Sequence, residues 1–135
     1  MLKPVKQHLG KVINLPLAGS AVAVKYGAMK ISSGYLVAAA SGDSEVEFIA
    51  LETKTDTSTT DGYLRVDCLP IDGAMEFDCL IDTTPAQTDV GKDVDLNGQS
   101  ELDLDGAADK VFRIDSVVNA TDKIVRGRFN KPALA

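Results

Sequence analysis

The sequence has no tryptophan, one histidine, two cysteines, three tyrosines and four phenylalanines in 135 residues. So little aromatic volume means that any core must be built from aliphatic side chains. With His8 as the only imidazole, Ser-His-Asp and Cys-His catalytic sites have no support. Twenty acids offer many carboxylate pairs, but nothing marks two of them out, and few aromatics exist to hold a sugar between them. No phosphate-binding glycine loop and no zinc-ligand spacing occurs. No run of 18 apolar residues is present, so no membrane-spanning helix is expected. The stretch KVINLPLAGSAVAVK ends in the small-residue pattern Ala21-Val22-Ala23. Its apolar part is broken by Asn14, Pro16, Gly19 and Ser20, so it is not read as an export signal. Two cysteines without an export signal imply synthesis in a reducing compartment. These absences point to a binding or structural protein rather than an enzyme, with no cofactor.

Hydrophobic residues make up 44% of the chain and charged residues 25%, as in an ordinary globular domain. The length suits a single domain whose core needs no disulfide or metal. The net charge of −6 is unevenly spread. Residues 1–40 hold five lysines and no acid, residues 41–109 hold eighteen acids against three bases, and residues 110–135 hold six bases against two acids. A nucleic-acid binder gathers basic groups on one face; the acidic middle argues against direct nucleic-acid contact. It reads as a solvated acidic surface, or as a charge-complementary contact with a partner or a second copy.

Apolar and polar residues alternate with period two almost throughout. Leu64, Val66 and Cys68 share one face, as do Met75, Phe77, Cys79 and Ile81, while Phe112 and Ile114 alternate with Arg113 and Asp115. Turn pairs such as Ser33-Gly34, Asp61-Gly62, Asp72-Gly73, Asn97-Gly98 and Asp105-Gly106 separate the runs. The pattern predicts an all-β, single-domain antiparallel β-barrel or β-sandwich. Its expected parts are an extended N-terminal arm over 1–17, a body over 18–130 and a short C-terminal tail over 131–135. The best helical candidate is TPAQTDVG, with Thr84 as N-cap and Pro85 at the first helical position, long enough for two turns before Gly91. The polar stretch 53–62 reads as a surface loop tip. CLPIDGAMEFDC reads as a hairpin. A Gly73-Ala74 turn would set Cys68 opposite Cys79, and an Asp72-Gly73 turn would set it opposite Phe77. Both registers put the two thiols on one apolar face, either as buried small hydrophobes or as a cross-strand disulfide.

The stretch DVDLNGQSELDL, residues 93–104, admits two readings. As a calcium loop it supplies Asp93, Asp95, Asn97 and Glu101 at ligand positions and Gly98 at the sharp turn. It lacks the final bidentate glutamate, since that position is Leu104, and Ser100 stands where an aliphatic residue is usual. As a hairpin it matches Val94 and Leu96 to Leu102 and Leu104, provided the loop has odd length or a bulge, with Gly98 at the left-handed position. The hairpin is the expected structure and the cation site the alternative.

Further along, GSAVAVKYGAMKISSGYLVAAASGDSEVEFIALET, then LIDTTPAQTDVGKDVDLNGQSELDL, then KVFRIDSVVNATDKIVRGRFN follow an apolar-basic leader. This order, with TDVGK at 88–92 as its most distinctive piece, resembles the small decoration or cement proteins of tailed bacteriophages. The resemblance covers most of residues 18–130. It implies a β-barrel or sandwich with arms, a homo-oligomer (trimer favoured, dimer possible), and the major capsid protein as partner. It also implies a location on the outer surface of the virion, synthesis in the host cytoplasm, and no catalytic residues. On that reading Val5, Leu9, Val12, Ile13 and Leu15 could add a strand to a partner's sheet edge. Lys3, Lys6 and Lys11 could pair with an acidic capsid surface. The alternatives are a calcium-dependent β-module of a surface or adhesion protein, using Asp93, Asp95, Asn97 and Glu101; a head-fibre or tail-tube protein; and, last, a small carboxylate-based hydrolase.

Overall fold

A computed structural model describes residues 1–5 and 12–130 of the chain. The architecture is all-β: two curled antiparallel sheets packed as a half-barrel or sandwich in one small domain. The strands are β1 (Leu2–Pro4), β2 (Ile13–Pro16), β3 (Val22–Ala23), β4 (Ala28–Ser32), β5 (Tyr35–Ala38), β6 (Phe48–Ala50) and β7 (Lys54–Thr55). They continue with β8 (Arg65–Pro70), β9 (Phe77–Leu80), β10 (Asp93–Leu96), β11 (Leu102–Asp103), β12 (Phe112–Asn119) and β13 (Ile124–Phe129). A six-stranded sheet runs β1-β9-β13-β12-β10-β11, a five-stranded sheet runs β2-β8-β6-β4-β5, and β3 pairs with β7 as a separate ribbon. Each large sheet is drawn round toward closure by one parallel bridge, Ile81 to Leu102 in the first and Leu17 to Leu36 in the second.

Period-two alternation decides which residues are buried. In the six-stranded sheet Leu2, Phe77, Cys79, Val94, Leu96, Phe112, Ile114, Val125 and Phe129 all point inward and are buried. They meet Ala28, Ile49 and Leu69 from the five-stranded sheet in one core. Their neighbours Met29, Ala50 and Cys68 join Leu17, Ala23, Leu36 and Val66 in a second cluster. Consecutive residues of β4, β6 and β8 thus feed different clusters, so the five-stranded sheet is buried on both faces. This explains the unbroken apolar runs such as FIAL in that region.

The main core is centred on Phe129, whose ring meets Phe77 at 5.0 Å and Phe112 at 5.1 Å between centroids, both edge-on. Gly127 makes room for them. A Cβ there would lie 2.8 and 2.9 Å from Phe112 ring carbons and on top of the Arg113 carbonyl oxygen. The β12–β13 ladder shifts register beside it, between Ile114 and Ser116, and this local bend brings the strands close.

Three expectations are corrected by this topology. The CLPIDGAMEFDC segment is not a hairpin. β8 belongs to the five-stranded sheet and β9 to the six-stranded one, so the chain crosses between sheets at Ile71–Met75. Leu69, Ile71, Met75 and Phe77 all face the core between the sheets. An arch of this kind and a hairpin share the same alternation, which is why the pattern alone misled. Cys68 consequently lies opposite Ile13 and Ala50, and Cys79 opposite Leu2 and Val125. The two thiols are free, buried and in different clusters. They are small hydrophobes and form no disulfide; burial pushes the Cys68 thiol up to about 12.

The expected arm is not free along its described length. Leu2–Pro4 pairs with β9 and Ile13–Pro16 with β8, because Leu2 and Leu17 have room in the protein's own cores and are fully buried. Residues 6–11 of the arm and the expected tail at 131–135 lie outside the described residues. Last, the helical candidate forms only a single 3-10 turn, Gln87–Asp89, with Ala86 rather than Thr84 at its N-cap. The Asp89 carboxylate accepts the Ala86 N–H at 2.8 Å and so starts the turn two residues late.

Replacing Gly127 by alanine is expected to destabilise the fold by about 3 kcal/mol or more, because backbone and two aromatic rings must move. Urea unfolding midpoints of the two proteins test this; an unchanged midpoint would mean that the bend relaxes freely.

Candidate functional site: the acidic hairpin and the β2 edge

Residues 93–104 form the β10–β11 hairpin, with Asp95 opposite Asp103 and Leu96 opposite Leu102. The five-residue loop between them is the odd-length one that the apolar pairing requires, and Gly98 sits at φ 79°. The loop is also an anchor. Gln99 donates from its side-chain amide to the Val22 carbonyl at 3.1 Å and contacts the Met29 sulfur, while its own carbonyl accepts the Ala28 N–H at 2.8 Å. Gly27 leaves space for it, since a Cβ at Gly27 would meet the Gln99 side chain at 2.7 Å. The Met1 amino group donates to the Ser100 carbonyl at the same place.

The four candidate cation ligands do not converge. Asp95 is 7% exposed, and its two oxygens accept the backbone N–H groups of Ala108, Asp109 and Lys110 at 3.1, 2.9 and 2.8 Å. Asp93 accepts from Asn130 at 2.9 Å and lies 3.9 Å from Arg113. Asn97 donates to Glu101 at 2.7 Å across the loop. Among the described residues no group of three His, Cys, Asp or Glu side chains is placed to hold a metal ion. The stretch therefore works as a hairpin whose acids hold the following turn.

The outer face of the six-stranded sheet carries a charged ladder that sequence reasoning missed. Arg126 pairs with Asp78 through two bonds of 2.7 and 3.1 Å, and Arg128 reaches Asp115 at 3.1 Å. Arg113 is directly opposite Arg128 on the neighbouring strand. Alternation in β12 and β13 announces these residues as outward-facing; Arg128 and Asp115 pair across the β12–β13 hairpin, while Asp78, the partner of Arg126, comes from β9, far away in sequence. TDVGK joins the 3-10 turn to β12: Lys92 donates to the Asp89 carboxylate at 2.7 Å, and the Gly91 N–H donates to the Ile114 carbonyl at 2.7 Å.

The expected partner-binding residues divide as follows. Lys3 is exposed on β1, opposite Asp78. Val5 is half-buried, with its N–H on the Glu76 carbonyl at 3.0 Å. Leu15 packs against the second cluster. Val12 and Ile13 are 56% and 36% exposed at the start of β2. Lys6, Leu9 and Lys11, with His8, lie outside the described residues. β2 ends the strand order of the five-stranded sheet, paired with β8 on one side, while β5 comes close on the other and bridges to the chain at Leu17. Among the described residues no strand is laddered to its other side at Ile13–Leu15, although β5 lies close to β2. Asn14 is held by Asp67 at 2.9 Å and by Arg65 at 2.6 and 3.0 Å, which fixes this edge in register. The strand presents outward main-chain groups at Val12 and the Asn14 N–H beside two exposed aliphatic side chains, while Pro16 has no N–H and the Asn14 carbonyl already accepts from Arg65 at 3.0 Å.

Comparison with known proteins finds no matching family model, no matching curated protein and no matching solved structure.

Two outcomes follow from these acids. Asp95→Ala strands three N–H groups at the 108–110 turn and is expected to cost about 2–3 kcal/mol, with Asp95→Asn costing less; thermal unfolding of both variants checks the order. The hydrogen bonds from Lys92 and the Ala86 N–H hold the Asp89 carboxyl below the usual carboxylate range. A lowered carboxyl pKa stabilises the fold above the ordinary value, and that contribution is lost as pH falls below it. Asp89→Asn is therefore expected to flatten the loss of melting temperature below about pH 4, while equal slopes in both proteins would show that the pair contributes nothing.

Proposed function

We propose that this protein is a non-enzymatic structural protein of a virion, which binds the outside of a capsid and bridges neighbouring shell subunits. The observation that carries the reading is the β2 edge, where exposed Val12 and Ile13 flank an unpaired strand side. A strand of the major capsid protein adding to this edge would gain main-chain hydrogen bonds, with the two aliphatic side chains giving register and specificity. Lys3, exposed on β1, adds a charge suited to an acidic shell surface. The sequence resemblance to phage decoration proteins supports the same role and favours a homotrimer, with a dimer as the other small assembly. Several copies of one edge in an oligomer multiply weak contacts into tight binding.

The contact belongs to the folded body rather than to a detachable leader. Deleting residues 1–17 removes two strands with Leu2 and Leu17, so it tests folding and not binding. The informative variant is Val12→Lys with Ile13→Lys, which keeps both strands and places charge on exposed positions. Particles from the source are separated on a density gradient, and the 14.3 kDa chain is quantified by mass spectrometry. The expected result is the chain on DNA-filled heads at a stoichiometry comparable to the shell protein, with the double variant folded but at least tenfold weaker in binding. Its presence only with tails or fibres would move the role there, and its absence from all particles would overturn the reading.

A further inference from the structure

Asp56 is one of three buried charged or polar side chains among the described residues, at 3% exposure. It lies at the base of the loop DTSTTDG, residues 56–62, most of whose other residues are exposed. Its N–H donates to the Ala21 carbonyl at 3.0 Å, and its Oδ1 accepts the Ser58 N–H at 2.7 Å. Its Oδ2 is buried and has no hydrogen-bond partner among the described residues. The other two buried acids, Asp89 and Asp95, have both carboxylate oxygens bonded. Among the described residues no ion pair reaches Asp56 either. Lys54, the nearest base in sequence, is directed to Glu52 at 2.8 Å and to the Arg65 carbonyl at 2.7 Å.

Burying a carboxylate without a counter-charge opposes folding, and a water molecule would satisfy its hydrogen bond without offsetting its charge. The loop offers oxygen-bearing side chains rather than nitrogen or sulfur ones. The loop carries the hydroxyls of Thr57, Ser58, Thr59 and Thr60 and the Asp61 carboxylate, which accepts the Gly19 N–H at 2.8 Å. Ser20 holds the loop to residues 18–21, its N–H and hydroxyl both donating to the Ser58 carbonyl. One buried carboxylate among hydroxyl and carbonyl oxygens is the chemistry of a hard cation, not of a transition metal.

We propose that the 56–62 loop binds a hard cation, calcium or sodium, through Asp56 Oδ2, and that the ion ties this loop to residues 18–21. This site is separate from the 93–101 hairpin and independent of capsid binding. In thermal unfolding of the full chain against a choline chloride baseline, 10 mM calcium chloride is expected to raise Tm by about 3–6 °C. That follows from a dissociation constant near 1 mM, which multiplies the folded population about tenfold. Sodium chloride at matched ionic strength distinguishes the two ions. Asp56→Asn should abolish the rise and Asp93→Asn should keep it. Should Asp56→Asn fail to fold, amide chemical-shift mapping of the native protein decides. Calcium- or sodium-dependent shifts confined to residues 18–21 and 56–62 support the site. No cation effect, shifts elsewhere, or a cation response that survives in Asp56→Asn would overturn it. So would an Asp56→Asn protein that is more stable than the native one and indifferent to both ions.

Discussion

Three of the four phenylalanines in the chain meet at Phe129, and the two sheets close around that contact. Phe77, Phe112 and Phe129 come from three adjacent strands, β9, β12 and β13, so their packing fixes the relative register of those strands as well as filling space. Edge-on aromatic pairs add to their area burial. The geometry is possible only because Gly127 has no side chain between them. A protein with so few aromatic residues concentrates its largest side chains at one point and leaves the remaining volume to leucine, isoleucine, valine and alanine. The five-stranded sheet depends on this in turn, since one of its faces is covered by the core that Phe129 anchors and the other by a cluster of small aliphatic residues.

The strand content of the fold was legible because burial on a sheet obeys the same period-two rule wherever the partner strand lies. Phe112 and Ile114 inward with Arg113 and Asp115 outward, or Met75 to Ile81 on one face, could be read directly. What alternation cannot give is the identity of the neighbour. A hairpin and an arch between sheets both ask for apolar residues on one side of a Gly-containing turn, so Cys68 and Cys79 looked like cross-strand partners while belonging to different sheets. The N-terminal segment failed for the same reason. Leu2 and Leu17 have the same composition whether they bury in a partner or at home, and only the three-dimensional fold shows that both are fully buried in the protein itself. For the candidate site, Val12 and Ile13 could be picked out as apolar residues near the start of the chain. Their place at a sheet edge could not, because edge status depends on how the other strands are ordered. Asp56 gave no signal at all, being an acid in a polar loop whose burial comes from residues 18–21.

The acidic middle of the chain has a structural explanation that its charge alone concealed. Asp43, Asp56, Asp61, Asp72, Asp82, Asp89, Asp95 and Asp103 each accept at least one backbone N–H. Most of these bonds close a turn two or three residues away, as short carboxylates do. A fold of thirteen short strands needs many turns, and each turn leaves N–H groups that no ladder satisfies. The aspartates supply those acceptors, so much of the negative charge is a consequence of turn density rather than a surface prepared for a cationic partner.

The same reasoning explains why residues 93–104 imitate a calcium loop. A calcium loop wants side-chain oxygens at alternate positions and a glycine where the backbone turns left-handed. A surface hairpin wants polar residues at alternate positions and a glycine in a left-handed loop. The two demands coincide from Asp93 to Gly98 and separate only where the ligands must converge. In the hairpin Asp93 and Asp95 stand side by side on the outward face, and each is pulled toward the nearest donor, Asn130 for one and the 108–110 backbone for the other. A cation loop must instead bend the chain round a single centre and end on a bidentate acid. Leu104 cannot supply that acid, and with Leu102 buried in the main core and Leu104 packed against it, the second half of the stretch is committed to apolar packing. The residue that decides between the two structures is therefore the last of the twelve, not any of the acids that suggest the first.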